Sequence, residues 1–407
     1  MKVKPFDFTN LDVFVKDVPH DVLAQLRQET PVYWNEIPNR AAGGGFWLIT
    51  RHKDVVQIEK NPTLFSSHYG LTLAEAPPST CGPPWSMVRD GFTHLDPPEH
   101  DAHRQLIAPS FTPKAICAIE NRIRAVANAV LDRACELQNF DFASEVALRF
   151  PVAVVLGELF GLPSEDFPQI IHWSDVIAAP YDPEFTRTAG LKVIPELYEY
   201  ALSARAMRLR KPTNDILSML AYTKTADGRY MSDEIFVRYF WSLVTGAFDT
   251  TASAISGGML ALISFPEELE RLHANPSLVP LAVEEILRWE TPTIYFRRTA
   301  MADTVIREQK ILKGQRVLMC YASANRDEEV FARSDVFDVS RKPNDHLSFG
   351  RGVHFCLGSN LARSELRIIF DQIIRRKLRV ELRGETRRAR SNFQNRIKCM
   401  PVTMYAG

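Results

Sequence analysis

Residues 349–358 read FGRGVHFCLG, three glycines, one histidine and one cysteine within ten positions, and SNLARSELRIIF follows at once with helical periodicity. Three roles compete for Cys356. A buried structural thiol is the plainest. A nucleophile is disfavoured, because no Asp or Asn motif completes a triad with His354. The third role is an axial metal ligand, a thiolate whose negative charge is stabilised by backbone N–H groups that approach the sulfur. Glycine permits that approach. A helix beginning near Leu357 aims its positive dipole end at the same sulfur.

Composition bounds the alternatives. The 407 residues are 45% hydrophobic, ample for a large core, and 49 basic side chains balance 49 acidic ones, so a nucleic-acid partner is not expected. The six cysteines are scattered without a CxxC pair, which argues for a reducing cytoplasm rather than a zinc module or a secreted disulfide framework. The first twenty residues lack the uninterrupted apolar core of a signal peptide or anchor, so a soluble, cytoplasmic chain without membrane insertion is expected. No linker, low-complexity tract or repeat interrupts the chain, and residues 1–407 read as a single domain.

Helical periodicity marks residues 116–137 and 266–290. Strand-like pieces are short: 44–52 together with DVVQIEK at 54–60, then 304–324 and 396–405. The expected class is mainly α with small β-sheets, including a minor β region near the N-terminus.

Three further patterns carry chemistry. Glu285 and Arg288 in EEILRW stand three apart on one helix face, which taken alone is a solvated ion pair. The run WSLVTGAFDTTASAISGGMLALIS lies in a helical segment starting near Asp233; Asp249 and the many Thr, Ser and Gly residues make it a buried central helix, not a membrane span. His100 and Arg104 lie four apart on a helix that follows an Asp-Pro-Pro turn, and they form either a surface pair or a clamp for carboxylates.

Phe349, Gly350, Gly352, His354, Cys356 and Gly358 reproduce the FGxGxHxCxG loop of the cytochromes P450, continued by Ala362, Arg363 and Glu365. The other three patterns follow that family's order and spacing, so most of the chain resembles a soluble bacterial P450 with a long central helix over the haem. The resemblance implies haem b with Cys356 as thiolate axial ligand. It places Phe349, His354 and Gly358 around the cofactor, His100, Arg104 and Arg298 on its propionates with Arg297 as a possible substitute, and Gly246 against its face. Asp249 and Thr250 take the place of the acid and threonine that manage protons, with Ala247 where the family usually has glycine. Glu285 and Arg288 become a buried structural pair; a third partner is usual in the later meander, where Val336 stands in place of an Arg or His.

The implied activity is insertion of one oxygen atom of O2 into a C–H bond, with electrons from NAD(P)H through a ferredoxin reductase and a 2Fe–2S ferredoxin. The ferredoxin would dock on a basic patch of Arg351, His103, Lys114, Arg341 and Lys342, and the protein is expected to be monomeric. A haem gas sensor has little use for the Asp-Thr-Thr run, and a peroxide-driven enzyme usually lacks the acid-threonine pair. Pocket positions carried over from the family are the 70–95 loop, Val244, Thr245, Phe248, Thr293, Ile294, Tyr295, Phe296 and Phe393. They are mostly apolar and point to a small neutral hydrophobic substrate. The nearest resemblance is to P450s that hydroxylate terminal methyl groups of isoprenoids, methyl-branched lipids and sterol side chains, the linalool methyl hydroxylases among them. In that setting the Thr245 hydroxyl either bonds a substrate alcohol or bonds back to its own helix.

Overall fold

The computed structural model describes residues 6–37, 44–73, 83–85, 91–178, 182–185, 188–225 and 228–406. The fold is mainly helical with small sheets, as expected. Six helices build the site: α1 (His52–Glu59), α2 (Glu99–Ile107), α3 (Asp233–Ala247), α4 (Asp249–Ser264), α5 (Val279–Glu290) and α6 (Ser359–Arg375). Among the described residues, no helix is long and apolar enough to cross a membrane.

The largest sheet contains β1 (Val32–Glu36), β2 (Gly45–Ile49), β3 (Phe65–Ser66), β4 (Tyr295–Ala300) and β5 (Arg316–Cys320), in the order β1-β2-β5-β4-β3. β2 pairs in parallel with β5, Leu48 opposite Leu318; both side chains are buried. Two segments far apart in sequence thus share one core. A smaller sheet joins Phe140–Asp141, Pro401–Ala406 and Leu378–Leu382.

The segment DVVQIEK corrects the sequence reading, for it is the body of α1 and not a strand. A short apolar run does not fix its own period. Val55, Ile58 and Glu59 are buried at helical spacing, and Val55 and Ile58 pack in a cluster that includes Val317 and Met319 of β5.

The central helix is also less regular than expected. It breaks at Phe248 between α3 and α4, where φ is −108° and ψ −32°. Hydroxyls bond back into the helix on both sides: Thr245 Oγ1 donates to the Trp241 carbonyl at 2.9 Å and Thr250 Oγ1 to the Gly246 carbonyl at 3.2 Å. Such bonds draw carbonyls out of the main-chain ladder and bend helices. Further along, α4 lies directly on α5: a Cβ added at Gly257 would sit 2.0 Å from Glu290.

Candidate active site

The loop before α6 is shaped by two glycines. Gly350 and Gly352 adopt φ of 65° and 68°, a left-handed conformation costly for other residues. A Cβ at Gly352 would lie 2.3 Å from the Glu59 carbonyl, so the loop packs tightly on the end of α1. The Cys356 amide donates to the Phe349 carbonyl at 2.8 Å, closing the turn. Helix α6 starts at Ser359, with Gly358 at its N-cap. Burial pushes the Cys356 thiol up, opposed by the Gly358 amide and then by the Arg104 and Arg363 cations. Cys356 lines a cavity of about 290 Å³. An amide, a helix start and two cations around one thiol favour its anionic form once a metal takes the proton's place.

Cations gather at one edge of that cavity. Arg104 and Arg298 both line it, together with His100 and His354. The imidazoles lie 4.2 Å apart, centroid to centroid. Burial followed by the Arg298 charge holds His354 down to about 2, and burial lowers His100 as well. Both rings are therefore neutral, and the positive charge belongs to the arginines. Arg104 has no carboxylate or hydrogen-bond partner among the described residues, and Arg298 donates to nothing but the Arg297 carbonyl, at 2.9 Å. Arg297 points to the other face of β4, where it donates to the Tyr69 and Thr72 carbonyls. Arg298, not Arg297, is the arginine of the cavity.

The opposite chemistry lies along the broken helix. Gly246, Ala247 and Thr250 line the cavity, and open space surrounds the position a Gly246 Cβ would take. Asp249 does not line it. Its carboxylate is buried, accepts from Ser174 Oγ at 2.7 Å and stands 3.3 Å from Arg396 Nη1. Burial pushes this acid up, with Arg396 opposing. Glu365, also on the wall, is fully buried; burial pushes its carboxyl well above the usual carboxylate range, with Thr251 opposing.

Other expected pocket positions divide by helix phase. Thr245, Phe296 and Phe393 line the cavity. Val244, Phe248 and Ile294 are buried in neighbouring hydrophobic clusters and are not among its lining residues. Leu243 and Ala247 occupy the face that Val244 and Phe248 were expected to present, and Pro292 with Thr293 stands in for Ile294. Tyr295 packs in the sheet core, and its hydroxyl oxygen accepts from the Leu73 amide at 3.0 Å. In the 70–95 loop, residues 74–82 and 86–90 lie outside the described residues; Leu71, Phe92 and Thr93 reach the cavity.

Glu285 and Arg288 form a fork of two 2.8 Å contacts with both side chains fully buried. The third partner is Arg341, whose Nε lies 3.1 and 3.0 Å from the two Glu285 oxygens. Val336 contributes its carbonyl, which accepts from both Arg288 and Arg341. Arg341 is therefore a core residue and leaves the expected basic surface patch, where Lys114 and Lys342 are exposed and Arg351 pairs with Asp345.

This donor set fits haem b: one thiol at a helix start, two arginines with no carboxylate partner for two propionates, and an apolar wall with a glycine gap opposite them. No sequence signal marked Glu59, Tyr321 or Arg396, which reach the site from distant elements.

The sequence model of the family described as Cytochrome P450 matches residues 87–401. A linalool 8-monooxygenase of Pseudomonas putida is 34% identical over 98% of this chain and 98% of its own. A methyl-branched lipid omega-hydroxylase of Mycobacterium tuberculosis is 35% identical over 98% of this chain and 93% of its own. A Mycobacterium marinum cytochrome P450 in complex with pseudoionone superposes with a TM-score of 0.87 at 31% identity, covering 99% of this chain and 98% of that one.

Proposed function

The chain belongs to the cytochrome P450 family, and we propose that as a P450 monooxygenase it hydroxylates a terminal or allylic methyl group of a small neutral terpenoid such as linalool. Haem b, when bound, supplies the activation of O2 and the transfer of one oxygen atom to carbon. Cys356 would hold it from the loop side, while Arg104 and Arg298, with the neutral His100 and His354, would hold its carboxylates. Phe349 and Gly358 complete the loop wall and Gly246 leaves room on the other.

The observation that carries the substrate class is the placement of charge. Among the described residues lining the cavity, the cations are Arg104 and Arg298, both at the edge the cofactor's carboxylates require. The substrate part is bounded by Leu243, Ala247, Phe296 and Phe393, with Thr245 as a polar point. An anionic head group would be desolvated there without a partner. Thr245 gives its proton to Trp241 and retains lone pairs, so it can accept from a substrate hydroxyl. Asp249 and Thr250 move protons: the buried acid holds one, and the threonine hydroxyl, on the cavity wall, passes it on. Electrons would come from NAD(P)H through a ferredoxin reductase and a 2Fe–2S ferredoxin.

A spin-state titration tests the assignment. Terpene alcohols should shift the haem spectrum at lower concentration than fatty acids of equal carbon number. Thr245→Val should weaken the alcohol by up to about tenfold, the value of one hydrogen bond of roughly 0.5–1.5 kcal/mol, and spare its deoxy analogue. Tighter binding of a fatty acid than of any terpenoid would contradict the substrate class. The methyl-branched lipid hydroxylase among the relatives supports a second candidate, a branched-chain lipid or sterol side chain, and the same panel ranks it.

A further inference from the structure

One acid of the cavity has no part in the chemistry described so far. Glu59, the last residue of α1, lines the cavity on the side of Arg298, His354 and Gly350. Its side chain is held on two sides. Tyr321 donates its hydroxyl to Oε1 at 2.7 Å. Gly350 folds over it in a left-handed turn, so that a Cβ at Gly350 would lie 2.9 Å from Oε1, while Gly352 packs on the Glu59 backbone carbonyl. Oε2 is buried and has no hydrogen-bond partner among the described residues.

The charges around Glu59 can be assigned element by element. β4 brings Arg298, the segment after β5 brings Tyr321, and the cysteine loop brings Arg351 with its backbone amide and the neutral His354. On α1 itself Asp54 is already paired with Arg307. Burial is the largest influence and raises the Glu59 carboxyl to about 7, against the Tyr321 hydroxyl and the Arg298 charge. A cofactor carboxylate on Arg298 would add a second negative charge and raise it further.

We propose that Glu59 is a neutral carboxyl that donates a hydrogen bond from Oε2 to the cofactor's carboxylate edge, sharing that edge with Arg298. The inference rests on the haem-thiolate assignment. It follows from the donor geometry: with Oε1 occupied by the Tyr321 hydroxyl, the proton belongs on Oε2, and a neutral acid is the one form of Glu59 that a carboxylate beside Arg298 accepts as a partner. Glu59 is then a binding residue that ties a proton to the cofactor. Its ionisation at higher pH places a negative charge beside the haem, which favours the ferric over the ferrous state.

The test uses the holoprotein and two readouts other than turnover. The midpoint potential of the wild type should fall as pH is raised from below about 7, and a tenfold difference in the Glu59 ionisation constant between the two iron states gives a fall of ~59 mV. Glu59→Gln, which keeps a donor and cannot ionise, should hold the low-pH potential throughout. Haem transfer to an excess of apomyoglobin should be roughly tenfold or more faster from Glu59→Ala than from Glu59→Gln, because a hydrogen bond to a charged group is lost. Superimposable potential profiles for wild type and Glu59→Gln, or equal haem loss from the Gln and Ala variants, would overturn the proposal. The ferrous carbonyl spectrum of each variant separates that failure from a failure of the thiolate assignment itself.

Discussion

Arg341 reaches Glu285 from 56 residues away and places its Nε 3.0–3.1 Å from both carboxylate oxygens, beside the fork from Arg288. The buried acid thus faces two guanidiniums, and the Asp338 amide and Asn344 side chain also donate to it. Removing one member of a buried, hydrogen-bonded charge network leaves the others uncompensated, at a cost of about 3–5 kcal/mol. Arg341→Leu should therefore lower the thermal midpoint of the holoprotein sharply, with Arg341→Lys intermediate. Unchanged midpoints in both variants would show that the Glu285–Arg288 pair is sufficient.

Glu284, the neighbouring acid, gives a pH signature. Burial raises its carboxyl, but hydrogen bonds from His346 and Arg363 outweigh that and hold it at about 2. Burial also keeps His346 below the usual imidazole range, so at neutral pH the attraction comes from the two-pronged contact with Arg363 at 2.7 and 2.9 Å. A folded-state value below the unfolded one contributes stability that is present above about 4.5 and is lost as pH falls toward about 2. Glu284→Gln should cost about 2 kcal/mol at pH 7, a figure reduced for the partial exposure of the pair, and should flatten stability across the acid range. Parallel acid-unfolding curves for the two proteins would contradict this.

The proposed proton delivery divides between the adjacent Asp249 and Thr250. Thr250→Ala should divert electrons from product to released peroxide, because the cavity-side hydroxyl is lost. Asp249→Asn should slow turnover on the order of 100-fold, the usual contribution of a positioned acid. Arg396→Gln should change the rate as well, since Arg396 lies 3.3 Å from Asp249 and is its nearby cation. Tight coupling of NAD(P)H use to product in the Thr250 variant would reject the assignment of that residue.

Electron entry should be sensitive to charge on the cysteine-loop side. Reduction by a 2Fe–2S ferredoxin should slow as ionic strength rises and on Lys342→Glu or Arg351→Glu. Rates indifferent to both salt and these substitutions would move the docking face elsewhere.

The residues that were legible in the sequence are those whose chemistry lies within one turn of chain. Cys356 with its glycines, His100 with Arg104, and Asp249 with Thr250 announce themselves by spacing, and the mainly helical class followed from periodicity. Residues whose roles depend on long-range partners were not legible. Arg341 looked like a surface cation because nothing near it predicts Glu285, and Glu59 lay in a run read as a strand, 262 residues from the tyrosine that bonds it. Val244 and Phe248 were assigned to the cavity by carry-over from the family resemblance. Helical spacing puts Leu243, Gly246, Ala247 and Thr250 on one face, the one that lines the cavity, and leaves Val244 and Phe248 on another.

Cys356 is placed to hold the haem iron as a thiolate, and the carbon monoxide difference spectrum of the reduced protein reads that ligand out. Wild type should show the red-shifted Soret band that requires a thiolate opposite carbon monoxide, and Cys356→Ser and Cys356→His should bind haem without showing it. An unchanged band in either variant would contradict the account.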